Sequence, residues 1–166
     1  MCRLLMSFFL LGSLSAAFAG DAVANPGRNV AAPSTPAGRV VKVLPLFLDL
    51  KGHAALSPSL YDRDAYQAYL RRHADQRSAI RFDVLWKASN PVHAKLKLQV
   101  ELRGIGQNGL PHQAALEQTV APHFFRHWNA LTLDGGDYKD FGELVAWRVT
   151  LWSDRQLLGE QKSFLW

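Results

Sequence analysis

Residues 79–88 read AIRFDVLWKA, and residues 95–103 read KLKLQVELR. Apolar residues occupy every second position from Ile80 onwards in the first stretch and from Leu96 onwards in the second. An apolar period of two is typical of strands that have one buried and one solvated face, as in antiparallel sheets. The two segments therefore predict a fold built on antiparallel β-sheet.

Further segments have the composition of strands and are separated by turn residues, at 40–50, 116–120, 128–133, 144–152 and 157–166. Pro45 lies inside the first of them, and proline cannot donate a hydrogen bond to a neighbouring strand. We therefore expect this segment at a sheet edge or a bulge. Neither face of the last segment is uniformly apolar, so it too is expected at an edge.

The segment between the first two strands changes to a helical period. Tyr66, Tyr69, Leu70 and His73 share one helix face, which predicts a short helix over 60–73 packed on the sheets. Ser59 followed by Asp62 resembles a capping box, with aspartate in the place of glutamate. The insertion therefore predicts one helix between the first and second strands.

Together these patterns predict a mainly all-β fold: an antiparallel two-sheet β-sandwich of about seven strands with one short helix inserted between the first and second. Strand number, strand spacing and Trp86 on an early central strand resemble immunoglobulin-like and fibronectin type III-like β-sandwich domains. The resemblance covers most of residues 39–166 and lies at the level of the fold. The pair of cysteines that links the sheets of antibody domains is absent from the sequence.

The first residues have the pattern of an export signal. Residues 1–19 combine Arg3, a short apolar run and a small-residue end at Ala17 and Ala19, which predicts a signal peptide cut after Ala19. Residues 20–38 are rich in Pro, Ala and Gly and predict a flexible leader, followed by the sandwich domain over 39–166. We expect an exported protein, periplasmic or extracellular, with no transmembrane anchor after cleavage.

Composition narrows the possible chemistry. The chain has 166 residues, a formal charge of +5 and one cysteine, which lies inside the predicted signal. The mature protein would therefore have no thiolate nucleophile, thiolate metal site or disulfide. Glu101 interrupts the basic face formed by Lys95, Lys97 and Arg103. We expect no nucleic-acid partner.

Two groups of residues are candidates for metal binding. One has three imidazoles, and the other has three carboxylates in a glycine-rich turn: His112, His123, His127, Asp134, Asp137 and Asp140. His123 and His127 are four residues apart, a spacing that puts both imidazoles on one side only in a helix. The residues around them predict a loop that enters a strand. The carboxylate spacing differs from that of a helix-loop-helix calcium site. Solvated histidines and an ordinary turn at 134–137 are the competing interpretations.

Aromatic residues are the other candidates for a binding site. Trp86 and Trp147 are expected in the core, whereas Trp152 lies on the opposite strand face from Trp147. Exposed aromatic rings stack on sugars or anchor protein partners. Trp152, Trp128 and Tyr138 are therefore the candidate ligand-binding residues.

No motif for a catalytic serine, a phosphate loop or a dinucleotide is present in the sequence. The sequence favours a non-enzymatic binding or structural module of the cell envelope or secreted space, with a protein or envelope partner and no cofactor. One alternative is a carbohydrate-binding module. The other is a histidine-dependent metal-binding protein or metalloenzyme.

Overall fold

The alternating segments form seven strands in two antiparallel sheets, as predicted. The computed structural model describes residues 37–89, 95–123 and 125–166, so the predicted signal peptide and most of the leader lie outside it. The strands are β1 Ala37–Asp49, β2 Arg77–Ser89, β3 Leu96–Ile105, β4 Pro111–Val120, β5 His127–Leu133, β6 Glu143–Ser153 and β7 Gln156–Lys162. They form a three-stranded sheet, β1-β2-β5, and a four-stranded sheet, β4-β3-β6-β7.

The inward faces of β2 and β3 form the centre of the core. Phe82, Val84 and Trp86 are fully buried, as are the apolar residues of β3 from Leu96 to Val100. This confirms the burial predicted from their period of two. Trp147 is half-buried and meets Phe82 edge to face, with 6.3 Å between ring centroids.

The inserted helix is present between β1 and β2. Helix α1 spans Leu60–Arg72, and the Ser59 hydroxyl accepts a hydrogen bond from the Asp62 backbone N–H at 3.4 Å. The Asp62 carboxylate does not close a capping box onto Ser59. It accepts a hydrogen bond from the Ser57 hydroxyl at 2.6 Å, and that hydroxyl in turn accepts one from the Ser59 N–H.

The predicted packing face of α1 is right in part. Leu70 is buried and Tyr66 is half-buried, but the other buried residue is Gln67, whereas Tyr69 is 43% exposed and His73 is exposed. The Tyr69 ring instead stacks on the His73 ring, 4.1 Å away, on the outer side of the helix. The helical period of apolar residues indicated the face with the aromatic rings, because a glutamine does not count as apolar in such a pattern even when it is buried.

The Gln67 side chain hydrogen-bonds the outer edge of β1 at one residue, Phe47. Its side-chain oxygen accepts a hydrogen bond from the Phe47 N–H at 2.8 Å, and its amide nitrogen donates to the Phe47 carbonyl at 2.9 Å. The side chain thus pairs with Phe47 as a residue of a neighbouring strand would. β1 is an edge strand and contains Pro45, as predicted.

The first half of β1 leans onto β7. A Cβ atom on Gly159 would lie 2.6 Å from the Arg39 Cα, and one on Gly38 would lie 3.1 Å from the Leu158 side chain. Glycine permits this close backbone approach between the two sheets. β7 is the edge of its sheet, as predicted, but ends at Lys162. Ala37 and Gly38, which the sequence assigned to the leader, belong to β1.

A second helix was not predicted. Helix α2, Gly135–Phe141, occupies the segment expected to be a turn between β5 and β6. Tyr138 and Phe141, three positions apart, are both buried and hold α2 against the sandwich. In the described parts of the chain, neither helix is long and apolar enough to cross a bilayer.

Candidate functional site

The short helix α2 is fixed at one end of the sandwich by two glycines. Gly142 ends the helix with a φ of 77°, and a Cβ atom there would overlap the Ile105 carbonyl oxygen. Gly104, at a bulge between β3 and β6, leaves room for the Phe141 ring. The local sequence therefore sets the helix close against the end of β3.

A groove of about 350 Å³ lies between α2 and β4. Its apolar lining residues come from β4, β5 and α2: Ala114, Ala115, Leu116, Leu133 and Phe141. Polar and ionisable residues also line it: His112, Gln113, Asp137 and Asp140. The groove therefore combines apolar side chains with a histidine and two carboxylates.

β4 forms one wall of this groove and is the edge of the four-stranded sheet. It pairs with β3 over its whole length, from the Pro111–Ile105 pair to the Val120–Leu96 pair, without a bulge. Its residues alternate between half-buried and exposed, because one face packs against the core and the other points to solvent, and residues of both faces line the groove. β4 is longer than the predicted strand over 116–120.

A second cavity, of about 480 Å³, continues on the other side of α2. Its polar residues include Arg77, Tyr138, Lys139 and Glu143. The Arg77 side chain is 3% exposed and donates to the Glu143 carboxylate at 2.8 Å and to the Leu70 and Arg71 carbonyls. The guanidinium therefore ties the end of α1 to the start of β6.

Tyr138 lies beside this guanidinium. Burial raises the pKa of its hydroxyl, and the nearby Arg77 opposes the shift. The phenol therefore stays protonated at neutral pH. Such a group can donate or accept a hydrogen bond but does not act as a base there.

The metal candidates fall at two separate places. His112, Asp137 and Asp140 line the groove beside α2, and Asp134 immediately precedes that helix. His123 and His127 stack on each other, with 4.0 Å between ring centroids. Within the described residues, no three histidine or carboxylate side chains come close enough to hold one metal ion.

The two histidine positions lie near opposite ends of β4. His112 pairs with Gly104, whereas His123 follows Val120, the last residue of the strand. Val120 lies eight residues further along the strand than His112, a distance of roughly 26 Å. The structure therefore does not bring the three histidines together.

The three aromatic candidates do not share a surface. Trp128 is 46% exposed on the outer face of the three-stranded sheet, where it pairs with Leu85. Trp152 is half-buried on the outer face of the other sheet, where it pairs with Lys97 and its indole N–H donates to Thr150. Tyr138 is 9% exposed, so its ring is not presented for stacking.

The apolar residues that line the groove were not predicted to form a site. Ala114 and Leu116 lie in a segment with weak alternation, and the other two, Leu133 and Phe141, are distant from them along the chain. One signal was available: Tyr138 and Phe141 follow Asp134 at helical spacing, which indicates a short helix rather than a turn.

In comparisons with known proteins, no protein-family model, no curated protein and no solved structure matches the chain.

Proposed function

We propose that this protein is a non-enzymatic, exported β-sandwich module that binds a protein or another component of the cell envelope or secreted space. The observation that carries the proposal is the groove beside β4, which lies at a sheet edge and is lined by apolar residues and two carboxylates. Concave surfaces that combine apolar residues with a few polar groups are typical binding sites. The export pattern of residues 1–19 supports a partner outside the cytoplasm.

The strand order supports an immunoglobulin-like or fibronectin type III-like architecture as part of this proposal. β1, β2 and β5 share one sheet while β3, β6 and β7 share the other, as strands A, B, E and C, F, G do in immunoglobulin domains. β4 departs from the constant-type order because it pairs with β3 instead of joining the first sheet. Many cell-surface binding domains have this sandwich architecture.

The test is photo-crosslinking in the organism that produces the protein. A benzophenone amino acid replaces Gln113, which is exposed on β4, or Arg155, which is exposed in the turn between β6 and β7. We expect a discrete adduct with an envelope or secreted component from position 113 and none from position 155. Retention in the cytoplasm, or no adduct from position 113, would overturn the proposal.

Catalysis is tested separately with the purified protein. A panel of glycan, peptide and ester substrates should give no turnover. Hydrolysis that a single point substitution abolishes would show that the protein is an enzyme.

A carbohydrate-binding function is the second candidate, and the exposure of Trp128 favours it. An indole face open to solvent on a sheet surface can stack on a sugar ring. Loss of glycan-array binding in W128A, with binding retained in W152A, would support this candidate. Equal loss in both variants would argue for misfolding, and no binding by the wild type would remove the candidate.

A further inference from the structure

The four edges of the two sheets are covered to different extents. Gln67 hydrogen-bonds the outer side of β1 at Phe47, and the first half of β1 lies against β7 near Gly159. β5 has seven residues and leads directly into α2. β4 has ten residues and, in the described parts of the chain, pairs with β3 alone.

An edge strand leaves about half of its backbone N–H and C=O groups without a partner strand. Proteins commonly protect such edges with lysine, proline or a bulge. β4 contains no lysine and no bulge, and its one proline, Pro111, is its first residue. Near its far end, the Gln118 side chain accepts a hydrogen bond from Asn129 of β5 at 3.4 Å, so the open part is the first half.

The groove lies beside this open part. Residues 112–116 of β4 all line the groove, and Ala114 and Leu116 belong to the half-buried face of the strand, which packs against the core. On a strand added to β4, every second side chain would lie on this same face of the sheet and the others would point to solvent. The apolar residues Ala114 and Leu116 therefore fit apolar side chains at alternate positions of the added strand.

The charged residues of the groove indicate which side chain a bound strand would carry two positions beyond its apolar residues. Asp137 and Asp140 line the groove, and Asp140 shares a neighbouring pocket with His112 and the cation Lys139. The two carboxylates outnumber this one cation, and stepping by two residues from Leu116 to Ala114 to His112 leads from apolar lining residues to the residue that shares a pocket with Asp140. A basic side chain opposite His112 would meet complementary charge.

We propose that β4 binds an extended segment of a partner protein as an additional antiparallel strand, and that this segment carries two apolar residues two positions apart followed, two positions later, by lysine or arginine. The antiparallel direction matches every other strand pair of the sheet. Main-chain hydrogen bonds give such strand addition its affinity, and the alternate side chains give its specificity. This inference rests on the proposed function, since it names the partner class for the same groove.

The chain's own leader fits the groove poorly by its sequence. Residues 20–36 contain prolines at 26, 33 and 36. Proline removes the N–H that an added strand must donate. A partner segment from another protein is therefore the proposed occupant.

The probe is the peptide acetyl-Thr-Val-Thr-Val-Thr-Lys-Thr-amide, titrated into the purified full chain by calorimetry. The comparison peptide has glutamate in place of the lysine. We expect saturable binding of the lysine peptide, about tenfold weaker binding of the glutamate peptide, and chemical-shift changes centred on β4. No binding of the lysine peptide at millimolar concentration would overturn the proposal.

Two tryptophan variants locate the binding. A114W places a large ring in the groove, whereas T119W places the same ring on the exposed face of β4 at a residue that does not line the groove. We expect A114W to weaken peptide binding at least tenfold and T119W to change it less than twofold, because only the first fills the binding pocket. Equal effects of the two variants would overturn the strand-addition geometry.

A charge variant keeps the test valid if A114W folds poorly. D137K combined with D140K changes two exposed side chains and should reverse the preference between the lysine and glutamate peptides. An unchanged preference would contradict the proposed position of the basic residue. If removal of residues 20–36 strengthens peptide binding more than about tenfold, the leader occupies the edge and the proposal is wrong.

The two proposals fail in different ways. A crosslinked partner that does not depend on β4 would leave the binding function standing while contradicting strand addition. The absence of a crosslinked partner would contradict the binding function, whatever the peptide does.

Discussion

Gln67 is a buried amide whose hydrogen-bonding groups are used by the backbone around it. It is 2% exposed, and besides its two bonds to Phe47 its amide nitrogen donates to the Ala54 carbonyl at 2.8 Å. A buried polar group is stabilising only when its partners are in place. One side chain therefore joins α1, β1 and the connection between them.

We predict that Q67M lowers the free energy of unfolding by about 3 kcal/mol, because the similarly shaped methionine leaves the Phe47 and Ala54 groups buried without partners. Urea unfolding followed by circular dichroism measures the change. The matched control is Q156M at the exposed start of β7, which should change stability by less than about 0.5 kcal/mol. Equal loss in the two variants would contradict the role given to Gln67.

Asp49 organises the first turn after β1. Burial alone would raise the pKa of its carboxyl, but the backbone N–H groups of His53 and Lys51 and the Tyr66 hydroxyl hold the pKa below its ordinary value. One carboxylate oxygen accepts from both N–H groups at 2.8 Å, and the other accepts from the hydroxyl at 2.8 Å. The ionised form is therefore favoured in the folded state.

The lowered pKa of Asp49 predicts the direction in which stability changes with pH. Because the pKa is lower in the folded state, the carboxylate stabilises the fold above the ordinary value of 3.8, and that contribution is lost as the pH falls through the folded-state pKa. Urea unfolding of wild type and D49N should differ most at neutral pH and converge in strong acid. A difference that grows as the pH falls would show that the sign is wrong.

At the level of elements, α2 depends on the glycine that ends it. Gly142 and Gly109 both have positive φ values, 77° and 75°. A Cβ atom on Gly142 would collide with the Ile105 carbonyl, whereas one on Gly109 would meet nothing within 4 Å. Both positions therefore carry the strain of a positive φ, whereas Gly142 adds the overlap with Ile105 and a ψ of −134°, which lies outside the left-handed helical region.

We predict that G109A costs about 1 kcal/mol of stability from the left-handed backbone alone, and that G142A costs about 3 kcal/mol or more because overlap adds to that strain. Thermal and urea unfolding of both variants measure the difference. Similar losses would mean that α2 shifts freely and that its position against β3 is not fixed.

The success of sequence-based prediction differed between elements for physical reasons. β2 and β3 were predicted well because each has one face buried over most of its length, so the pattern is continuous. α2 was missed because Gly135 and Gly136 indicate a turn locally, whereas contacts made by Tyr138 and Phe141 with the sandwich stabilise a helix. The groove could not be predicted because residues far apart in sequence meet there.

At the level of the whole molecule, the five tryptophans probe different depths. Trp86 is fully buried, and its indole N–H donates to Asn129 at 2.8 Å, whereas Trp128 is 46% exposed. Trp147, Trp152 and Trp166 are intermediate. Trp166 lies under the guanidinium of Arg103, with 4.0 Å between the charge centre and the ring centroid.

We predict that Trp128 accounts for the most readily quenched fluorescence. Acrylamide quenching should fall in W128F, because the most accessible indole is removed. W86F should lose emission without a fall in the quenching slope, provided that circular dichroism shows a retained fold. A lower slope in W86F than in W128F would contradict the burial of these two residues.

The pairing of Gln67 with Phe47 also bears on how the native protein opens. An outward-facing amide in an edge strand ordinarily exchanges its hydrogen with water after small local fluctuations. The Phe47 N–H is bonded to a side chain of α1, so it can exchange only when the helix moves away from β1. Its exchange rate therefore reports the free energy of detaching α1, a partial opening in which the rest of the sandwich remains folded.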